Sequence, residues 1–290
     1  MTAQTLPPRP VGEDERRTGG TPMTPPQAAT PKRPTRQQQR REATIAEIKD
    51  RSREQLATGG AGALSLRAVA RDMGLSSAAI YRYFPAQADL ITALCVDTYN
   101  DLADTIERAR THDSDSAHRM RNVLSTFRTW ALAHPSDFAL IFGTPFPGYI
   151  APPGETTEAA ARFATALFVT YAEAADAGAV ELSAVQVPAD QGVGELADIL
   201  VNQAAIVPPA LAAGAISGWV STLGFISAEL WGNLGRIVDN TDTAFDAHLR
   251  GVMCSMGFNA SDLSANNKEQ SDASEVRNAR SCREPGATPG

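Results

Sequence analysis

Between Leu64 and Phe84 the sequence reads LSLRAVARDMGLSSAAIYRYF. Four short side chains, Ser76, Ser77, Ala78 and Ala79, are followed after Ile80 by Tyr81, Arg82 and Tyr83. Hydroxyls and a guanidinium donate to phosphodiester oxygens, and an arginine also fits the acceptor edge of a guanine. The short side chains matter for a different reason. A helix whose outward face is small can enter a major groove about 12 Å wide and press against base edges. Ser65, Arg67 and Gln87 flank the same run and extend the set of possible contacts. The chemistry implied is recognition of a double-stranded polyanion. The bland reading is a helical hairpin with a solvated polar face, and the spacing Ala-x3-Gly-x5-Ile alone does not exclude it.

Positioning those side chains requires three helices. Ser65 can cap a helix carrying Leu66, Val69, Ala70 and Met73 at intervals of three and four. Gly74 supplies a turn with positive φ, Ser76 can cap again, and Ile80 with Phe84 turns one face of the next helix inward. Ala70, Gly74 and Ile80 thus stand where a helix-turn-helix needs a close crossing, a turn and an apolar lock. A preceding helix has Ile45, Ile48 and Leu56 on one face and stops at Gly59-Gly60. A following helix, with Pro85 as its first residue, runs through Leu90, Ile91, Leu94 and Ile106 to about Arg110.

Charge separates this region from the rest. The 290-residue chain has net charge −7, yet Lys32 to Pro85 hold eleven Lys/Arg against five Asp/Glu. Residues 86–290 hold twelve against twenty-five, a net −13. A basic block on an acidic remainder is the electrostatic footprint of a polyanion-binding module. Enzyme chemistry finds no support: His112, His118, His134 and His248 lack metal-ligand spacing, and neither a Gly-rich phosphate loop after a strand nor a G-x-S-x-G occurs. No metal or cofactor is expected. Cys95, Cys254 and Cys282 are few, odd in number and far apart, as in a reducing compartment. The polar, Pro-rich start has no apolar core of a signal peptide, and no run of 18 apolar residues suggests a membrane span, so a cytoplasmic location is expected.

The remaining chain is read as all-α. Residues 1–35 and 259–290 are expected to be disordered arms, residues 36–85 the three-helix DNA-binding domain, and residues 86–258 a helical effector-binding and dimerisation domain. Helices are expected over Met120–Ala131, around Phe138–Phe142, and over Thr157–Ala177, Val193–Asn202, Pro209–Leu234 and Asp242–Met256, with Gly143–Gly154 a loop. Phe127, Trp130, Phe138, Phe142, Phe163 and Trp219 are candidates to line an apolar ligand pocket, although aromatics at helical spacing more often form ordinary core. Phe146, Tyr149, Phe168 and Phe225 are assigned to the same interior, and His134 to capping its helix. The Gly/Ala/Ser-rich Leu211–Leu234 could pack within the chain or, with Phe245, Leu249, Val252 and Met256, build half of a two-fold four-helix interface.

The order of parts in LSLRAVARDMGLSSAAIYRYFPAQADLI, Leu64–Ile91, resembles the DNA-binding domain of TetR-family transcriptional regulators. The resemblance spans Arg40 to Ile91 and rests on the Tyr81-x-x-Phe84 stop and Asp89-Leu90 besides the helix-turn-helix. It implies that Ser77, Ala78, Ala79 and Arg82 face bases, and that Tyr81 and Tyr83 hold phosphates. Ser65, Arg67 and Ser76 complete the DNA-facing set. Gln87 stands where the family usually has lysine, which weakens one phosphate contact. ALAHPSDFALIFGTPFPGYIAPP, Ala131–Pro153, is similar to a C-terminal domain common among actinobacterial members. The implied partners are an operator in double-stranded DNA, an unidentified small-molecule effector and a second copy of the chain, and no membrane. The implied role is a repressor released by a mostly apolar effector. The alternative is an architectural DNA-binding protein without one.

Overall fold

A computed structural model describes residues 35–111, 115–143, 146, 148–152, 154–186, 209–259 and 263. The helix expected at Val193–Asn202, Cys282 and nearly all of both terminal arms lie outside these residues. The chain partitions into two compact units, Met1–Glu42 and Ala43–Gly290. In the first, the described part is the start of α1 (Arg36–Gly59). There Thr35 Oγ1 accepts the Gln38 N–H at 3.2 Å and Gln38 Oε1 accepts the Thr35 N–H at 2.8 Å, a reciprocal cap.

The second unit is helical, and among the described residues it contains no strand. Its helices are the rest of α1, α2 (Leu66–Asp72), α3 (Ser77–Ile80), α4 (Gln87–Arg110), α5 (Ser116–Ala133), α6 (Pro135–Phe142), α7 (Glu155–Asp176), α8 (Pro209–Leu230) and α9 (Thr241–Ser255). The boundaries follow local chemistry. Ser65, Ser76, Asp115 and Asn240 each accept a backbone N–H of the first turn of the helix they precede. Pro135 opens α6, where a missing N–H costs nothing. Pro85 does not open α4. It lies outside the helix, whose first residue is Gln87, and Asp89 Oδ2 accepts the Ala86 N–H at 2.9 Å instead.

After α2 the chain reverses at Gly74, φ +66°. Leu75 N–H reaches back to the Ala70 carbonyl at 2.8 Å and Gly74 N–H to that of Arg71 at 3.1 Å, a Schellman closure. A Cβ at Gly74 would meet nothing within 4 Å, so space does not require glycine here; the backbone does. Gly74→Ala is therefore expected to cost about 1–2 kcal/mol through left-handed strain alone, read as a lowered Tm with α2 and α3 intact.

Two hydrophobic cores organise this unit. The first joins Ile48, Leu56, Leu64, Leu66, Val69, Ala70, Ile80 and Phe84 to Leu90, Ile91, Leu94 and Cys95 of α4. The boundary expected at Pro85–Ala86 thus falls within the span of one core. Phe146, from the loop after α6, is also buried there, and Tyr149 packs against it. Both had been assigned to the interior of the second domain; the structure places them in the helix-turn-helix core. The second core is built by α4, α5, α6, α7, α8 and α9 and holds Phe127, Trp130, Phe138, Phe163, Phe168 and Tyr171.

Among the described residues one helix, within α8 at Ala210–Leu230, is long and apolar enough to cross a membrane. Its composition has a local cause, since Leu211, Ala212, Ala215 and Ile226 are buried in the second core. Two of its glycines are filled from inside the chain. A Cβ at Gly214 would approach the Tyr171 hydroxyl to 2.8 Å, and one at Gly218 would strike Met256 Sδ. Gly224 and Gly251 differ, for a Cβ at either meets nothing within 4 Å.

Candidate nucleic-acid interface and aromatic cluster

The helix-turn-helix presents most of the expected residues outward. Arg67, Ser76, Ser77, Ala78, Arg82 and Gln87 are exposed, and Tyr81 is 40 % exposed. Ser65, Ala79 and Tyr83 are half-buried, with Tyr83 packed on the first core. The hydroxyl oxygens of Ser65 and Ser76 accept the N–H groups of Ala68 and Ala79, at 3.4 and 3.2 Å. Each keeps its O–H as a donor.

One expectation fails in detail. The second helix was expected to run on to Phe84, but α3 ends at Ile80. Arg82 N–H bonds to Ala79 at 3.2 Å and Tyr83 N–H to Ile80 at 2.9 Å, so Tyr81–Tyr83 sit on a tightened turn. Phe84 is pulled into the core just before Pro85, which disfavours helical geometry in the residue preceding it.

The scaffold beneath is held by charges the sequence reading missed. Lys49 Nζ lies 2.8 Å from Asp97 Oδ2, and Arg53 Nη2 3.4 Å from the same oxygen. Arg53 Nε lies 3.6 Å from Asp137 Oδ1, which also accepts the Thr98 hydroxyl at 3.3 Å. These contacts tie α1 to α4 and to the first turn of α6. The partners are forty or more residues apart, so no local spacing signals them.

Five of the six candidate ligand residues form one aromatic cluster centred on Phe142. Its ring centroid lies 5.3 Å from Phe138, 5.7 Å from Phe127, 6.3 Å from Phe163 and 6.4 Å from Trp219. Tyr99 of α4, a residue not singled out from sequence, joins at 6.1 Å edge-on. Trp130 does not belong to this set. Its indole Nε1 donates to Asp101 at 2.8 Å and its ring lies against His134, which caps α5 by placing Nδ1 3.0 Å from the Trp130 carbonyl. Trp130 shares the face of α5 with Phe127, and periodicity cannot separate a ring in the cluster from one bonded elsewhere.

From the cluster, α6 leads into the helix-turn-helix core. Tyr99 donates to the Ile141 carbonyl at 3.5 Å, and Tyr149 Oη lies 3.0 Å from Thr92 Oγ1 on α4. Burial pushes the Tyr99 hydroxyl up to about 12 and the Cys95 thiol up to about 11. Burial also raises the Tyr149 hydroxyl. All three stay protonated near neutrality, so they serve as packing and hydrogen-bonding groups rather than nucleophiles. Among the described residues no group of three His, Cys, Asp or Glu could hold a metal.

An exposed helix-turn-helix on a basic segment, set on an all-helical unit with its own core, defines a helix-turn-helix transcriptional regulator. Residues 48–94 match the family model for bacterial regulatory proteins of the tetR family. Residues 120–252 match that for the tetracyclin repressor-like C-terminal domain. The chain is 34 % identical over 213 residues to the HTH-type transcriptional regulator Rv1816 of Mycobacterium tuberculosis, covering 72 % of this chain and 91 % of the relative. The same figures hold for the regulator Mb1846 of Mycobacterium bovis. The solved structure of SCO4313, described as a regulatory protein, aligns with TM-score 0.60 at 33 % identity, covering 75 % of this chain and 98 % of that one. A Rhodococcus protein of unknown function shares the fold, with TM-score 0.53 at 22 % identity, covering 71 % and 94 %. The chain belongs to the TetR family of DNA-binding transcriptional regulators.

Proposed function

We propose that the protein is a cytoplasmic, homodimeric repressor that leaves its operator when a small, mostly apolar molecule enters the aromatic cluster. Ser77, Ala78, Ala79 and Arg82 face bases. Tyr81, Tyr83, Ser65, Arg67, Ser76 and Gln87 contact the phosphate backbone. Phe127, Phe138, Phe142, Phe163 and Trp219 receive the ligand, with Trp130 supporting them from α5. The observation that carries the ligand-release reading is the course of α6. Phe138 and Phe142 lie in the ring cluster, while the segment leaving the same helix buries Phe146 in the helix-turn-helix core. A ligand that parts the rings displaces an element on which that core depends.

Such a ligand shifts operator affinity only by its differential affinity for the two states, typically about 5–150-fold. The direct test is operator footprinting and affinity measured with and without a panel of apolar and polar compounds. A two-fold-related protected site, lost with apolar compounds only, is the expected result. Stoichiometric binding of a monomer to an asymmetric site would remove the dimer reading.

Support for the dimer comes from α8 and α9. The open glycines Gly224 and Gly251 accompany Val220 and Trp231, large apolar side chains that are more than half exposed. A second pair of helices can approach closely there. A Cβ at Gly224 or Gly251 is unobstructed and both residues are exposed, so Gly224→Phe and Gly251→Phe are each expected to yield a folded monomer with weakened DNA binding. Analytical ultracentrifugation checks this, and a persisting dimer would place the interface elsewhere.

Gln87 gives a further check on the DNA-facing assignments. It is exposed at the first position of α4, so Gln87→Lys should tighten binding to all sequences and steepen its salt dependence by about one counterion at most. An unchanged salt slope would mean that this position does not approach phosphate.

A further inference from the structure

We infer that the ligand of the aromatic cluster carries a neutral hydrogen-bond acceptor, a carbonyl or ether oxygen, which pairs with the indole Nε1 of Trp219. The inference rests on the reading of that cluster as a ligand site. Trp219 Nε1 is buried and has no hydrogen-bond partner among the described residues. A buried donor without an acceptor is rare in folded proteins and costly, because its hydration is lost with nothing in return. The fold satisfies its other buried indole fully, since Trp130 Nε1 donates to Asp101.

Among the described residues two other buried side-chain nitrogens lack partners, Arg110 Nε and His118 Nε2. Each belongs to a side chain that holds a carboxylate through a different nitrogen, Glu173 and Asp115 respectively. Trp219 has no second polar atom. Its location adds the rest of the argument. Phe127, Phe138 and Phe163 are buried, whereas Phe142, Trp219 and Tyr99 are half-buried members of the cluster. The unpaired donor therefore belongs to a ring of the cluster, one whose centroid lies 6.4 Å from that of Phe142. The rings that meet Phe142 are those of Tyr99, Phe127, Phe138, Phe163 and Trp219, which offer a carboxylate no counter-charge, whereas a neutral oxygen needs none.

The test uses the full-length protein and two probes of one shape, acetophenone and α-methylstyrene, which differ by an oxygen in place of a methylene. Calorimetric titration of the wild type should show the ketone bound roughly 5–30-fold more tightly, the range expected for a hydrogen bond to an otherwise unsatisfied buried donor. Trp219→Phe should bring the ratio to about one. In protein labelled with nitrogen-15 at tryptophan, the Trp219 indole resonance should move on adding the ketone and far less with the alkene. Equal affinities with an unmoved Trp219 resonance would overturn the inference and leave the aromatic site standing, its donor served by water. A ketone preference that survives Trp219→Phe would also overturn it, by placing the acceptor elsewhere. If neither probe binds the wild type, the ligand-site reading falls and the inference with it.

Discussion

Replacing Phe146 with alanine is expected to melt the helix-turn-helix core well before the rest of the molecule. Phe146 is 7 % exposed and sits among residues drawn from α1, α2, α3 and α4. Phe-to-Ala truncation at such a site costs about 3–5 kcal/mol, from lost transfer energy and the cavity left behind. The second core does not contain Phe146, so the loss is local. Thermal unfolding should become biphasic, with the early phase matching loss of DNA binding, because the exposed face of α3 keeps its geometry only while Ile80 and Phe84 are locked. Tyr149→Phe removes the hydroxyl that bonds Thr92 and Cys95 but keeps the ring, and should cost about 1 kcal/mol in the same phase. A Phe146→Ala protein with unchanged melting and DNA affinity would show that the segment after α6 merely covers the core.

The second large effect concerns Arg128 on α5. Its Nε and Nη2 donate to both carboxylate oxygens of Glu229, at 2.7 and 2.6 Å, with the two side chains 12 % and 11 % exposed. Nη2 also donates to the exposed Asp242 at 2.7 Å, and the guanidinium stands 4.7 Å from the centre of the Phe245 ring. The bidentate bond to Glu229 is the main cause that holds the guanidinium pKa above its ordinary value. Arg128→Met is expected to destabilise by about 3–5 kcal/mol, since it strands Glu229 as a nearly buried, uncompensated charge. Arg128→Met with Glu229→Leu should recover most of that loss. The four proteins form a double-mutant cycle readable by urea denaturation, and additivity of the two single changes would refute direct coupling.

What the sequence disclosed depended on the range of the interaction. Ser65, Gly74 and Ser76 act within four residues of themselves, and their caps and turn were readable as written. The apolar spacings of α4 and α5 likewise reported which faces are buried. Ile45, Ile48 and Leu56 do share one face of α1, with Ile45 half-buried against the core, and the buried Ser52 completes that face by donating to the Ile48 carbonyl at 2.7 Å. Phe146 was misassigned because a Pro- and Gly-rich segment has no period from which to infer a face. Trp130 and Phe142 look alike in sequence, and only long-range partners such as Asp101 and Tyr99 tell them apart. The Lys49, Arg53, Asp97 and Asp137 contacts were invisible for the same reason.

The insertion of Phe146 into the helix-turn-helix core also orders events during synthesis. Domains ordinarily mature from the N-terminus as the chain emerges. Here the core that supports α3 needs a side chain about a hundred residues downstream of Ile48. A nascent chain that has just exposed its basic segment cannot yet complete that core, and a fragment ending before α6 never can. The core that supports α3 is therefore completed only after the chain has emerged past Phe146, whereas the aromatic cluster around Phe142 still awaits Phe163 and Trp219. Products of translation interrupted before Phe146 therefore lack a complete helix-turn-helix core.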